Sequence, residues 1–277
     1  AFCKTFRWRA IGGSIKVKCY LKVLLLLTFI NPMNAETLTF KSGELAAVSI
    51  SGEDGSGTLI KSNSQIKKIL AFPFVASDQT ITDEDIVGTM KIEYINFGES
   101  RITIADTSKV NLSVSDQQRA NREALLIRKA LSKNDSTLTP SFKFMRPVAG
   151  IITSPYGKQR YINGQKRSVH LALDMNGKTG DPIIAPLKGR VVLTGDFFYT
   201  GNTVILSHGE GLYTSYAHMD EITADLGKII QQGNQIGTVG ATGRVTGPHL
   251  HWTVYFNGNK INPEWLIEED FLETLLQ

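Results

Sequence analysis

Gly247-Pro248-His249-Leu250-His251-Trp252-Thr253-Val254-Tyr255-Phe256 closes a segment that opens with His170-Leu171-Ala172-Leu173-Asp174. The first stretch is a His-x-His running into a strand-like apolar run, and the second is a His-x3-Asp. Side chains two apart on a strand point to the same face, so His249 and His251 can both look into one groove. All five histidines of the chain lie between these limits: His170, His208, His218, His249 and His251. If the fold brings His170 and Asp174 opposite the His-x-His, two imidazoles and a carboxylate converge and another histidine is left beside them. Three N/O ligands with a further position open is the arrangement of a catalytic zinc.

Cysteine supports a site built from histidine and carboxylate. The chain has two, Cys3 and Cys19, and both precede residue 36. The rest of the chain therefore has neither disulfides nor thiolate ligands to offer.

The formal charge of +4 belongs to the same N-terminal stretch. Residues 1–35 hold six basic residues (Lys4, Arg7, Arg9, Lys16, Lys18, Lys22) and no acid, so removing them from the 30 basic residues leaves 24 against 26 acidic, a net of −2. A nucleic-acid partner loses its support. The apolar run Val23–Ile30 follows the basic stretch and is far shorter than the ~20 residues of a spanning helix. Residues 1–35 are read as an export leader with cleavage after Ala35, or else as a tether if uncut. No stable membrane span is expected once the leader is gone. Cys19 precedes the apolar run, which speaks against a lipid-anchored cysteine.

Residues 36–112 are expected to form a small β-rich domain. Short apolar runs (38–40, 47–50, 58–60, 69–75, 90–95 and 101–104) alternate with Gly, Asp and Ser punctuation. Asp83-Glu84-Asp85 within it reads as a solvated turn. A capping box at Ser115–Gln118 predicts a helix to about Ser132, and Lys133–Pro140 reads as a polar linker. The region 113–140 is thus helix and linker. Residues 141–277 are again β-rich with glycine turns, ending in a helix from Pro263 to Leu276 whose first turn carries proline.

Taken in order, Ser154-Pro155-Tyr156-Gly157, His170-x3-Asp174, Ala185-Pro186 with Gly189, Thr214–His218, Gly240-Ala241-Thr242-Gly243 and His249-x-His251 resemble the M23 zinc metallopeptidases, the lysostaphin and LytM type of peptidoglycan endopeptidase. The resemblance covers residues 147–267. It implies a mainly β chain whose catalytic domain is an antiparallel sheet with an open groove. It implies Zn2+ held by His170, Asp174 and His251, with His218 and His249 as catalytic histidines that do not bind metal. The substrate implied is a cross-link peptide of bacterial cell wall, met outside the inner membrane, in the periplasm if the host has an outer membrane. Leu171 and Ala172 depart from the small residues usual after the first histidine, which bears on the groove wall rather than on metal binding.

Asn202 is a candidate for binding substrate backbone, and a turn role after Gly201 suits it equally. His208, in Ser207-His208-Gly209, reads as a structural hydrogen-bonder at a turn. Two alternatives stand beside the peptidase. One is a non-catalytic relative that binds and activates cell-wall amidases, which the intact histidine set argues against. The other is a biotinyl- or lipoyl-type carrier, which lacks its lysine: no Asp-Lys pair occurs, and Met90-Lys91 lies in the wrong segment. For residues 36–112, which carry no chemistry of their own, two roles stay open. They position or bind the wall, or they fold back and block the groove.

Overall fold

The computed structural model describes residues 37–50, 55–62, 65–133 and 135–276. The expected leader lies outside them. Strand is the dominant regular structure of the described residues, as the sequence leads one to expect. Its N-terminal part holds β1 (Thr37–Lys41), β2 (Leu45–Ser49), β3 (Leu59–Ser62), β4 (Gln65–Ala71), β5 (Gln79–Ile81), β6 (Thr89–Glu93) and β7 (Glu99–Ile102), followed by helix α1 (Val114–Leu131). Beyond it come β8 (Ile152–Ser154), β9 (Gln159–Ile162), β10 (Gln165–Val169), β11 (Leu173–Asn176), β12 (Pro182–Ile184), β13 (Gly189–Phe197), β14 (Gly201–Gly209) and β15 (Leu212–Ile222). The chain closes with β16 (Ile229–Ile230), β17 (Gln235–Val239), β18 (His249–Phe256), β19 (Asn259–Ile261), α2 (Pro263–Leu266) and α3 (Phe271–Leu276).

One large antiparallel sheet carries the second half in the order β16-β13-β14-β15-β18-β11-β8. Its middle strands read as near-continuous apolar runs because both faces are covered. In β14 every residue but Asn202 is buried, and Trp252, Tyr216 and Phe256 on β15 and β18 are closed to solvent. Truncating such a buried aromatic to alanine costs about 3–5 kcal/mol. That packing holds β18 rigidly between β15 and β11. The β11–β18 register sets Asp174 opposite His251 and Asn176 opposite His249, while β15 sets Ala217 opposite His251.

The N-terminal strands form two small sheets, β1-β6-β5 and β2-β4-β3, around Val48, Phe72, Met90 and Ile92, with Phe40 stacked on Phe72 at 4.0 Å between ring centroids. Asp83 and Asp85 do not make a free solvated turn. Both carboxylates meet the buried Lys68 ammonium at 2.8 Å, which gives that lysine its counter-charge.

β7 leaves these small sheets and pairs in parallel with β9, matching Glu99 to Gln159 and Ile102 to Ile162. The chain after it is tied to the second half at several points. Ile104 and the Asn163 side chain exchange hydrogen bonds at 2.8 and 3.0 Å, Arg167 donates to the Val110 carbonyl, and the Lys109 ammonium sits 4.5 Å over the Phe198 ring. α1 begins two residues before its predicted start, capped by Ser113, whose hydroxyl accepts from the Asp116 N–H. It docks on β13 through Arg119–Asp196 at 3.1 Å. The stretch after it is packed as well as polar: Arg190 pairs with Asp135 at 2.6 Å, and Leu138 is buried. The expected closing helix is two short ones. The described residues cluster as one compact unit. No helix among them is long and apolar enough to cross a membrane.

Candidate metal centre and active site

His170 lies just before β11, Asp174 on it, and His251 on the neighbouring β18. Asp174 Oδ1 is 2.7 Å from His251 Nδ1 and 3.0 Å from His170 Nε2, and the two ring nitrogens are 3.3 Å apart. All three ligand-type atoms lie within 4.8 Å of one another, which suits a single ion. The far nitrogen of His170, Nδ1, sits 3.2 Å from both the Pro155 carbonyl and the Ser154 hydroxyl. A carbonyl only accepts, so the proton belongs on Nδ1 and the Nε2 lone pair is turned on a carboxylate oxygen. Lone pair facing lone pair in a buried place asks for a cation between them. The donor set therefore fits a zinc ion.

The electrostatics agree with that protonation pattern. Burial alone raises the Asp174 carboxyl, but the His251 and His170 rings beside it more than reverse this and hold it well below the usual carboxylate range. Burial pushes His251 down to about 4. An ionised carboxylate beside an imidazole pushed toward its neutral form is the state a metal requires of its ligands.

His218 and His249 stand next to this group. Their ring centroids are 4.9 Å apart, and His218 is 5.6 Å from His251. His218 Nδ1 donates to the Thr242 carbonyl and His249 Nδ1 to the Gly247 carbonyl, each at 2.8 Å. These contacts leave Nε2 of each ring unbonded to the backbone, and that of His249 is 3.9 Å from Asp174 Oδ1. Burial, then the neighbouring His251 and His249, lower the pKa of His218 well below its ordinary value. The backbone of His218 is left-handed at φ 64°, held by its N–H donating to the Thr200 carbonyl at 2.8 Å. That conformation costs a non-glycine residue about 1–2 kcal/mol. It turns the ring off the β15 ladder and toward the groove.

The groove has a volume of about 430 Å³ and its lining includes Asp174, His218, His249 and His251, together with Arg160, Tyr199 and Arg244. Residues Ser100, Ile102 and Ile104 of the N-terminal part line it too. Asn202 is not brought into the cluster: its side-chain amide donates to the Asp220 carbonyl at 2.8 Å. His208 is the penultimate residue of β14, next to the turn at Glu210 and Gly211, with both ring nitrogens bonded, to the Lys188 carbonyl at 2.9 Å and the Thr214 hydroxyl at 2.7 Å. A Cβ on Gly189 would come within 2.8 Å of that ring, so glycine is needed there for the close approach.

Residues 168–263 match the sequence model of Peptidase family M23. The chain carries a peptidase M23 domain. It is 36% identical over 112 residues to the peptidoglycan DD-endopeptidase ShyA of Vibrio cholerae, covering 40% of this chain and 26% of that protein. It is 35% identical over 112 residues to the DD-carboxypeptidase/endopeptidase Mpg of Neisseria meningitidis, with the same coverage of 40% and 26%. The aligned stretch thus spans about a quarter of the length of these curated relatives. A crystal structure of a putative peptidase M23 from Pseudomonas aeruginosa superposes with a TM-score of 0.64 at 26% identity, over 82% of this chain and 94% of that one. The shared architecture therefore runs well beyond the M23 match, into the N-terminal strands.

Two groups at the site escaped sequence reasoning. Arg160 donates to Asp174 Oδ2 at 3.1 Å from β9, a contact for which a separation of fourteen positions gives no periodic signal. Thr242 was legible as part of Gly240–Gly243, yet not as the residue whose carbonyl orients His218 and whose hydroxyl donates to the Met219 carbonyl at 2.8 Å.

Proposed function

We propose that this chain is a zinc-dependent endopeptidase that cuts cross-link peptides of bacterial peptidoglycan. The observation that carries it is the convergence of His170, Asp174 and His251 at a groove of an M23 domain, with the imidazoles of His218 and His249 lining the same groove. His170 Nε2, Asp174 Oδ1 and His251 Nδ1 would hold the zinc, whose Lewis acidity activates water near neutral pH.

The remaining groups do the proton work. With Nδ1 pinned to backbone carbonyls, His218 and His249 present Nε2 to accept a proton from the attacking water, steady charge on the substrate carbonyl oxygen, and return a proton to the leaving amine. His218, pushed toward its neutral form, is suited to accepting. Arg160 occupies Asp174 Oδ2 and so keeps that carboxylate from turning away from the imidazoles. Asn202 is left a structural role by its bond to Asp220.

The names of ShyA and Mpg support a cell-wall substrate. They also support a place outside the cytoplasm, reached through the leader read at residues 1–35 and, in a host with an outer membrane, periplasmic. We assign residues 36–112 to wall binding or to control of the groove, residues 113–140 to joining them, and residues 141–277 to the chemistry. The intact set of His170, Asp174, His218, His249 and His251 favours an enzyme over a non-catalytic amidase activator. The test is digestion of purified sacculi with zinc-loaded protein, followed by mass analysis of the released peptides. Cleaved cross-links that disappear after chelation are expected. Intact cross-links with a stoichiometrically zinc-loaded protein would sink this function.

A further inference from the structure

Three cationic side chains, Lys158, Arg160 and Arg244, line the groove, and Asp174 is the one carboxylate among the lining residues. Asp174 is fully engaged. Its Oδ1 faces the two imidazoles and its Oδ2 accepts from Arg160. Arg244 is left with no acidic partner among the described residues. Its guanidinium lies over the Tyr199 ring at 4.3 Å and reaches one acceptor, the Lys109 carbonyl, at 3.5 Å. A half-buried guanidinium with its planar fork largely unfilled is a costly thing to keep unless something else fills it.

Arg244 is nevertheless held in place. Its N–H donates to the Tyr199 carbonyl at 2.9 Å, and Tyr199 supplies the face on which the guanidinium stacks. It follows by two residues Thr242, the anchor of His218. Burial, and then the nearby Arg160 and Arg167, act against its charge, while Tyr199 supports it. An anion entering here would relieve that repulsion and gain a bidentate, charge-assisted pair.

We propose that Arg244, set on Tyr199 in the groove that His218 and His249 also line, is the recognition subsite for a free carboxylate carried by the peptide substrate. This rests on the peptidase reading above and deepens it. The substrate class becomes a peptide that carries a free acid group into this groove, and capping that acid as an amide should remove the preference.

The test uses binding so that it stands apart from turnover. N-acetyl-Lys-D-Ala-D-Ala as free acid, and the same peptide as its C-terminal amide, are titrated calorimetrically into the zinc-loaded full chain and into Arg244→Gln and Arg244→Lys. The acid should bind the wild type about tenfold tighter than the amide, the scale of one hydrogen bond to a charged group. That ratio should fall to near unity in Arg244→Gln and lie between in Arg244→Lys, with unfolding midpoints showing that each variant is folded. Equal affinity for acid and amide, no binding of either, or a preference that survives in Arg244→Gln overturns the subsite. Cleavage is scored separately: discrimination in binding without cleavage would count against the endopeptidase and leave the subsite standing.

Discussion

His208 on β14 and His170 beside β11 are both almost closed to solvent, yet their ring nitrogens meet opposite surroundings. His208 finds a carbonyl on one side and a hydroxyl on the other, and that hydroxyl continues to Tyr216 at 2.7 Å. Donor meets acceptor at each contact, and burial holds the ring neutral with its pKa at about 4. His170 is satisfied on one nitrogen only, and its other lone pair is turned on an oxygen that His251 also approaches. The first arrangement is complete as it stands, whereas the second is completed by a cation. Burial of histidine therefore separates no function by itself; the polarity of the partners does.

The largest effect should come from breaking the incomplete cluster. His170→Ala, Asp174→Ala or His251→Ala should each abolish bound zinc and sacculus digestion while unfolding stays cooperative. His208→Ala should instead retain zinc and lose about 1–3 kcal/mol of stability, because the Lys188 carbonyl and Thr214 hydroxyl lose a buried partner. Metal analysis beside denaturant titration checks both halves, and stoichiometric zinc in any of the first three variants would reverse the comparison.

Next in size are the histidines beside the cluster. His218→Ala and His249→Ala should keep zinc and lose on the order of 100-fold or more in turnover. Near wild-type rates would reduce them to wall residues. Arg160→Gln should act through Asp174, weakening zinc by about 10–100-fold in chelator competition without loss of fold, as expected for a group that orients a ligand. Unchanged zinc affinity would make the ion pair incidental.

The smallest effect belongs to His208 and pH. Its folded value of about 4 lies below the ordinary 6.5, so the folded ring binds fewer protons than the unfolded one in that window. Stability from this source is present above pH 6.5 and is lost as pH falls toward 4. Wild-type Tm should therefore fall more steeply than that of His208→Gln over this range. Parallel slopes would show that the ring titrates in place.

The cluster was legible because its signal is local: two histidines at strand spacing, a His-x3-Asp, and no cysteine among residues 36–277 to compete. The antiparallel sheet and α1 were legible for the same reason, since strand alternation and helix caps repeat over a few residues. What local patterns cannot carry is pairing between distant segments. Lys68 with Asp83 and Asp85, Arg160 with Asp174, and β7 with β9 each join residues whose intervening sequence sets no register. The Ser113 cap was missed by two residues because Ser115 offers the same chemistry, and only the position where the chain enters the helix decides between them.

The parallel pairing of β7 with β9 also determines what can be cut away. A piece starting at residue 141 would bare the backbone edge of β9 and strip Ile162 of Ile104 and Val110, which bury it. Bare edges of that kind recruit other chains and aggregate. For anyone trimming, grafting or shuffling this protein, a piece that keeps the whole groove lining has to reach back at least to Ser100, and one that keeps the main core closed has to keep Leu45 and Ile69 as well.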